Sequence, residues 1–386
     1  MIILLLALIY LLFISLGLPD ALLGACWPIM HKGFDVPLSY GGILSFVIAI
    51  FTILTSLFSD YLIRKFKTRW VCVLSVVLII IGLFGFAFAT KFWMLLLFAV
   101  PLGLGAGAID AALNNYVAVH YESRHMSWLH AMWGAGASIG PYIIGLLINL
   151  TNNYQDGYFV IAIIQIVILI ITLLLTPVWA KAFKDDKTEE TQVKVSIKDA
   201  LSIKGVLVLM IAFFAYISLE QTAMLWGSSY LVLNNNISEE IGAMFASLFV
   251  LGITIGRIIN GFISYKLKDT TIIRISLLII LVGIILLFIP NANILTYIGL
   301  GLIGLGCAPV YPCIMHTIPI RFGVNNSQSI IGLQMAFAYV GICSMPGLFG
   351  IIANNISISL FPIYLLLILI MLCLFHEITV KKTGVI

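Results

Sequence analysis

The chain has 386 residues, 62% of them hydrophobic and only 9% charged, with a net charge of +4 and a mean hydropathy of +1.16. A soluble protein carries about a quarter of its residues as charges to cover its surface. A soluble enzyme or a nucleic-acid-binding protein is therefore excluded, and a chain folded inside a lipid bilayer is expected.

Twelve segments are apolar over about 20 residues, the length a helix needs to cross a bilayer. They cover residues 2–30, 39–63, 70–90, 92–119, 128–150, 157–179, 205–232, 241–263, 270–289, 294–315, 327–352 and 357–377. The expected fold is all-α, with twelve transmembrane helices. The first 17 residues resemble a signal peptide, and Leu23-Gly24-Ala25-Cys26 resembles a lipoprotein cleavage site. A basic start is missing, and Asp20 and Trp27-Pro28 interrupt the apolar run, so this stretch reads as the first membrane helix.

Further along the chain, chemistry-bearing residues punctuate the apolar segments. Asp20 is followed two turns later by Trp27. Asp60 stands near the end of the second segment. Asp110 and Asn114 lie one turn apart in the fourth, on one face, and His130 and Trp133 are three apart in the fifth. Glu220, Gln221 and Trp226 occur in the seventh. Glu220 and Trp226 are six apart and share no face of a regular helix; either the helix breaks near Gly227 or only one of them faces a cavity. Arg257 belongs to the eighth segment and reads as a structural or gating charge. Tyr311 stands between Pro309 and Pro312 in the tenth, and Gln334 and Tyr339 in the eleventh. Cys26, Cys72, Cys307, Cys313, Cys343 and Cys373 lack metal-like spacing. They read as reduced packing residues, and no metal or cofactor is expected.

Lys and Arg are distributed unevenly. Arg64, Lys65, Lys67 and Arg69 fill one loop; Lys181, Lys184, Lys187, Lys194, Lys198 and Lys204 fill the central one; Lys266, Lys268 and Arg274 fall between the eighth and ninth segments. The intervening loops hold Lys32 and Lys91. Positive charge stays inside, so both termini and the central loop are expected in the cytoplasm, with the chain in the plasma membrane and its +4 charge a matter of topology.

Residues 181–204 are the one long polar stretch and read as a linker between two six-helix bundles, 1–180 and 205–386. The halves resemble each other. Gly136, Pro141 and Gly145 recur as Gly341, Pro346 and Gly350; Asp20 matches Glu220, and Gly41 matches Gly242. Such a parallel repeat suits a transporter whose bundles rock about a site at mid-membrane. Gly103 with Gly107, and Gly136 with Gly140, place small residues on one helix face, where backbones approach closely.

An ionised side chain at bilayer depth costs several kcal/mol, and desolvation favours the neutral acid. Asp20 and Asp110 therefore read as proton carriers. Aromatic faces stack on sugar C–H faces, and neutral amides pair with hydroxyls. Trp27, Asn114, His130, Trp133, Glu220, Gln221, Trp226, Tyr311 and Gln334 are accordingly the expected lining of a pocket for a small neutral hydroxylated solute. The carrier is expected to act as a monomer in the lipid bilayer, with protons as its coupling partner.

The stretches GLPDALLGACWP (17–28), GLGAGAIDAALNNYVAVH (103–120), SWLHAMWGAGASIGP (127–141), LEQTAMLW (219–226) and GITIGR (252–257) together resemble the fucose permease-like sugar:proton symporters of the major facilitator superfamily. The resemblance spans nearly the whole chain. It implies that Asp20 and Asp110 handle proton and substrate. Asp110 stands where that family has glutamate, and His130 and Trp133 stand where it has Gln and Asn. The superfamily's acidic-basic loop is degenerate here, but Asp60, Arg64 and Lys65 remain, enough for a gating salt bridge. Residues 136–145 also approximate the helix 5 motif of drug:proton antiporters, which makes efflux the alternative. An intramembrane protease fits poorly: the dipeptides are Pro-Asp at 19–20 and Ile-Asp at 109–110, and a Gly-x-Gly-Asp motif is missing.

Overall fold

A computed structural model describes residues 2–121, 123–182, 201–264, 266–289 and 293–384. Among these are twelve helical spans long and apolar enough to cross a membrane. The fold is the expected all-α one, in two pseudo-symmetric six-helix bundles. The first contains α1 (Ile2–Asp20, resumed as Leu22–Gly33), α2 (Tyr40–Leu57), α3 (Ser59–Phe88), α4 (Phe92–His120), α5 (Ser123–Thr151) and α6 (Tyr154–Leu174). The second contains α7 (Val206–Asn235), α8 (Glu239–Ile263), α9 (Asp269–Leu287), α10 (Asn293–Cys307, resumed as Val310–Phe322), α11 (Val324–Asn355) and α12 (Phe361–Thr383). Most of the central linker, residues 183–200, lies outside the described residues.

Three spans are interrupted, two of them at prolines. Pro19 and Pro28 lack an N–H, and α1 pauses at Ala21 before resuming at Leu22. α10 pauses at Ala308 and Pro309, since the residue before proline avoids the helical region. In α3, Lys67 has φ 63°, a left-handed conformation uncommon outside glycine. α7 runs unbroken through Gly227. Of the two alternatives for Glu220 and Trp226, the helix therefore takes the one in which they point to different faces.

Within each bundle, glycines let neighbouring helices meet backbone to backbone. A Cβ on Gly17 would lie 2.0 Å from the Trp133 carbonyl oxygen, and one on Gly136 would lie 2.2 Å from that of Ile14, so α1 and α5 touch without side chains between them. Gly103 and Gly107 play the same part for α4 on α2, at 2.4 Å from Ile48 O and 2.1 Å from Thr52 O. The second bundle repeats the scheme: Gly341 of α11 lies against Phe214 and Ser218 of α7, and Gly304 of α10 against Phe249 of α8. Any side chain at Gly17 or Gly304 forces the helices apart, at about 1–3 kcal/mol for overpacking.

Helices alternate in direction, so one face carries the described chain ends, the kink of α3 at Lys67 and the 264–268 loop; residues 64–69, expected as a loop, are helical on either side of that kink. We call this face the terminal face and its opposite the distal face. The bundles meet toward the distal face. The second half of α1 packs on α7, where a Cβ on Gly24 would lie 2.5 Å from Met224 O and Ser228 Oγ donates to Ala25 O at 3.1 Å. Gly42 of α2 abuts Gly347 of α11, and Gly145 of α5 abuts Met244 of α8. Lys32 Nζ reaches Glu239 Oε1 at 2.9 Å across the seam, an exposed pair that contributes at most about 1 kcal/mol. By contrast, the first half of α1, all of α4 and the second half of α10 hardly touch the opposite bundle. A cleft thus opens on the terminal face.

Candidate functional site

The cleft ends at the break in α1. Asp20 is the last residue before it, halfway along the span Ile3–Gly33, and its side chain is nevertheless exposed. Asp20 Oδ2 accepts a hydrogen bond from Trp133 Nε1 of α5 at 2.6 Å. The close approach at Gly17 brings α5 near enough for that bond. The face of the Trp133 ring carries the guanidinium of Arg257, 5.1 Å from its centroid, which arrives from α8 in the other bundle. Arg257 Nη1 also donates to the His130 carbonyl at 3.3 Å, while the His130 ring stands edge-on to Phe13.

Asp110 and Asn114, half-buried, form the pair their spacing promised: Asn114 Nδ2 donates to Asp110 Oδ1 at 2.9 Å and to its backbone oxygen at 3.0 Å. Asp110 is also within electrostatic reach of Asp20. On the opposite wall Glu220, 5% exposed, accepts a hydrogen bond from Tyr216 one turn earlier. It feels the charge of Arg257 without a contact inside 4 Å among the described residues. Tyr311 packs on Phe213 and interacts electrostatically with Asp110, Glu220 and Arg257. Gln221 is half-buried beside Glu220.

The structure therefore gathers Asp20, Asp110, Asn114, His130, Trp133, Glu220, Tyr311 and Arg257 around one centre. It places three other expected lining residues elsewhere. Trp27 is fully buried, its indole N–H donating to Leu38 O at 2.7 Å and its ring lying under Gly41. Trp226 is its counterpart in the second bundle, fully buried and donating to Pro346 O at 2.8 Å. Both seal the distal ends of their bundles. Gln334 is fully buried, with both polar side-chain atoms unpaired among the described residues. It lies two turns from Gly341, on the face turned toward α7. The side chains of Asp60 and Arg64 lie outside the described residues.

Arg257 differs most from its sequence reading: it crosses to the other bundle at the centre of the site. Tyr216 and the Lys32–Glu239 pair were missed. Tyr216 carried a signal, since it precedes the buried acid by one helical turn, the spacing at which side chains meet.

Acids, a guanidinium, a phenol and amides around a cleft between two bundles can hold a polar solute and exchange protons. Comparisons with known proteins place this arrangement. The chain is 24% identical over 310 residues to the glucose/mannose transporter GlcP of Bacillus subtilis, covering 78% of this chain and 77% of that one. It is 23% identical to the bypass of stop codon protein 6 of Saccharomyces cerevisiae over 94% of this chain and 79% of that one. It is 27% identical to the class H tetracycline resistance protein of Pasteurella multocida over 52% and 51%. Among solved structures, a crystal structure of the nucleoside transporter NupG in mutant form matches with a TM-score of 0.77 at 13% identity, over 97% of this chain and 98% of that one; that likeness concerns the fold alone. The model of the Major Facilitator Superfamily matches residues 5–346, so the chain belongs to that superfamily and is a multi-pass membrane transporter.

Proposed function

We propose that this transporter is a proton-coupled symporter that imports a small neutral hydroxylated solute, a sugar fitting best, by alternating access. The observation that carries the reading is Asp20. It is a carboxylate at mid-membrane, open to the cleft, held by Trp133 and near a second acid, Asp110. Neighbouring carboxylates at this depth favour binding a proton when the cleft closes and losing it when water returns. Asn114, Gln221 and Tyr311 supply neutral donors and acceptors for hydroxyl groups. The sequence resemblance to fucose permease-like symporters, and a relative named as a glucose/mannose transporter, point the same way. A relative named as a tetracycline resistance protein favours a second reading, drug:proton antiport through the same acids.

Proteoliposomes with a pH-sensitive dye inside separate the two. A panel of neutral sugars and cationic drugs is added in turn. Symport acidifies the interior with one of the sugars; internal alkalinisation with a drug, and none of the sugars active, would replace symport with antiport.

In this reading the terminal face is cytoplasmic and the membrane is the plasma membrane, on the strength of the Lys and Arg loops. A single cysteine at Lys187→Cys, in a chain with its six native cysteines replaced, is expected to react with an impermeant maleimide only after cells are permeabilised. Equal labelling of intact cells would reverse the orientation.

A further inference from the structure

Three groups from three helices meet at the foot of the cleft. Asp20 of α1 accepts the indole N–H of Trp133 from α5 at 2.6 Å. The same ring supports the guanidinium of Arg257 from α8 at 5.1 Å. The first two belong to one bundle and the third to the other. Among the described residues Arg257 has one hydrogen bond beyond this, to the His130 carbonyl at 3.3 Å. No carboxylate lies within 4 Å of it among the described residues, and Glu220 is engaged with Tyr216. Arg257 is thus held across the seam by an aromatic face and a peptide oxygen.

Such a hold depends on what the indole N–H points at. A donor facing an ionised carboxylate makes a bond about twice as strong as one facing a neutral acid. The anion also fixes the ring and, drawing positive charge toward the N–H edge, leaves the ring face more negative toward the guanidinium. A proton on Asp20 removes both effects, leaving a looser ring and a weaker cation–π contact.

We propose that Trp133 is a positioning residue that ties the proton on Asp20 to the second bundle through Arg257. With Asp20 ionised, Trp133 is fixed and Arg257 docks on it, which favours the arrangement seen here, closed at the distal face. With Asp20 protonated, the dock weakens and the distal face is freer to open. The sign follows from linkage: the conformation that interacts better with the ionised acid gains population as pH rises. Asp110 from α4 also acts on Asp20; the other titratable groups of the site are His130 from α5 and Glu220 from α7, which feel Arg257, and Tyr311 from α10, which feels Asp110, Glu220 and Arg257. Among the described residues, Trp133 is the one that hydrogen-bonds the Asp20 carboxylate. The inference rests on the reading of Asp20 as a proton carrier.

The test needs no substrate. Spin labels at Lys65→Cys and Lys268→Cys, both exposed on the terminal face, report the width of the cleft in a chain freed of its native cysteines. In the parent protein, raising the pH from mildly acidic to mildly alkaline is expected to increase the ratio of open-cleft to closed-cleft molecules by up to about tenfold, the scale of one cation–π contact. Asp20→Asn should flatten this response. Trp133→Phe keeps an aromatic face but loses the N–H, and should flatten it too. Arg257→Gln should do the same from the other bundle with Asp20 and Trp133 intact, and Arg257→Lys should retain part of it.

A parental response in both Trp133→Phe and Arg257→Gln, with Asp20→Asn flat, overturns the link while sparing the proton reading. A parental response in Asp20→Asn, or no response in the parent, removes the proton reading and the link with it. If Trp133→Phe fails to fold, Arg257→Gln decides alone.

Discussion

Asp110→Asn should abolish accumulation of solute against its gradient while leaving downhill exchange intact. The substitution is conservative in shape: an amide oxygen at that position can still accept the hydrogen bond that Asn114 Nδ2 now gives Oδ1 at 2.9 Å. What it loses is the capacity to gain and release a proton. In the parent protein, one proton carried per solute lets a pH gradient of one unit sustain about a tenfold concentration ratio. In the variant that ratio should fall to one, and the vesicle interior should no longer acidify as solute enters. Exchange of labelled for unlabelled solute should continue, because a permanently neutral carrier can still move in its loaded state. Paired flux assays, with and without a pH gradient, check both halves. A variant that still concentrates solute under a pH gradient would assign the proton elsewhere, Asp20 first.

Asp110 was legible because a carboxylate between Ile109 and Ala111 has no account in an apolar helix except function or pairing. The same argument exposed Asp20 and Glu220. The twelve spans were legible from length and hydropathy, and the double bundle from glycines repeating at one offset; Gly136 and Gly341 do sit at matching contacts, on α1 and α7. Rotation about each helix axis was not legible. In a membrane the lipid-facing and protein-facing sides are both apolar, so the hydrophobic period that orients a soluble helix fades. Hence Trp27, Trp226 and Gln334 were expected in the cavity and are packed away from it. Trp27 and Trp226 spend their N–H on Leu38 and Pro346, carbonyls that no spacing identifies. Arg257 was placed by its position along α8, which says nothing of the helix it reaches. Its partner Trp133 is far away in sequence and in the other bundle, and only the crossing of α5 and α8 brings them together.

In the proposed cycle that crossing belongs to one side, and the distal seam offers a way to forbid it. Gly42→Trp should trap the carrier open at the distal face and reduce net transport more than about a hundredfold. A Cβ on Gly42 would already lie 2.7 Å from the Cα of Gly347, so α2 and α11 meet here through two bare backbones. An indole has no room in that contact, and overpacking of even about 3 kcal/mol shifts the balance of states by more than a hundredfold. The fold of each bundle should survive, since Gly42 meets the other bundle rather than its own neighbours. Solute binding should therefore remain while translocation stops. A cysteine replacing Ala25, now 2% exposed beneath Ser228 of the opposite bundle, reports the change. It should react with an impermeant maleimide from the distal side much faster in Gly42→Trp than in the parent, which uncovers it only while its distal face is open. Gly261→Trp, where an added side chain meets nothing within 4 Å, should transport as the parent does. Normal turnover in Gly42→Trp, or labelling of the cysteine at 25 no faster than in the parent, would mean that the bundles do not part along α2 and α11, and that closure of the distal face is not an alternating step.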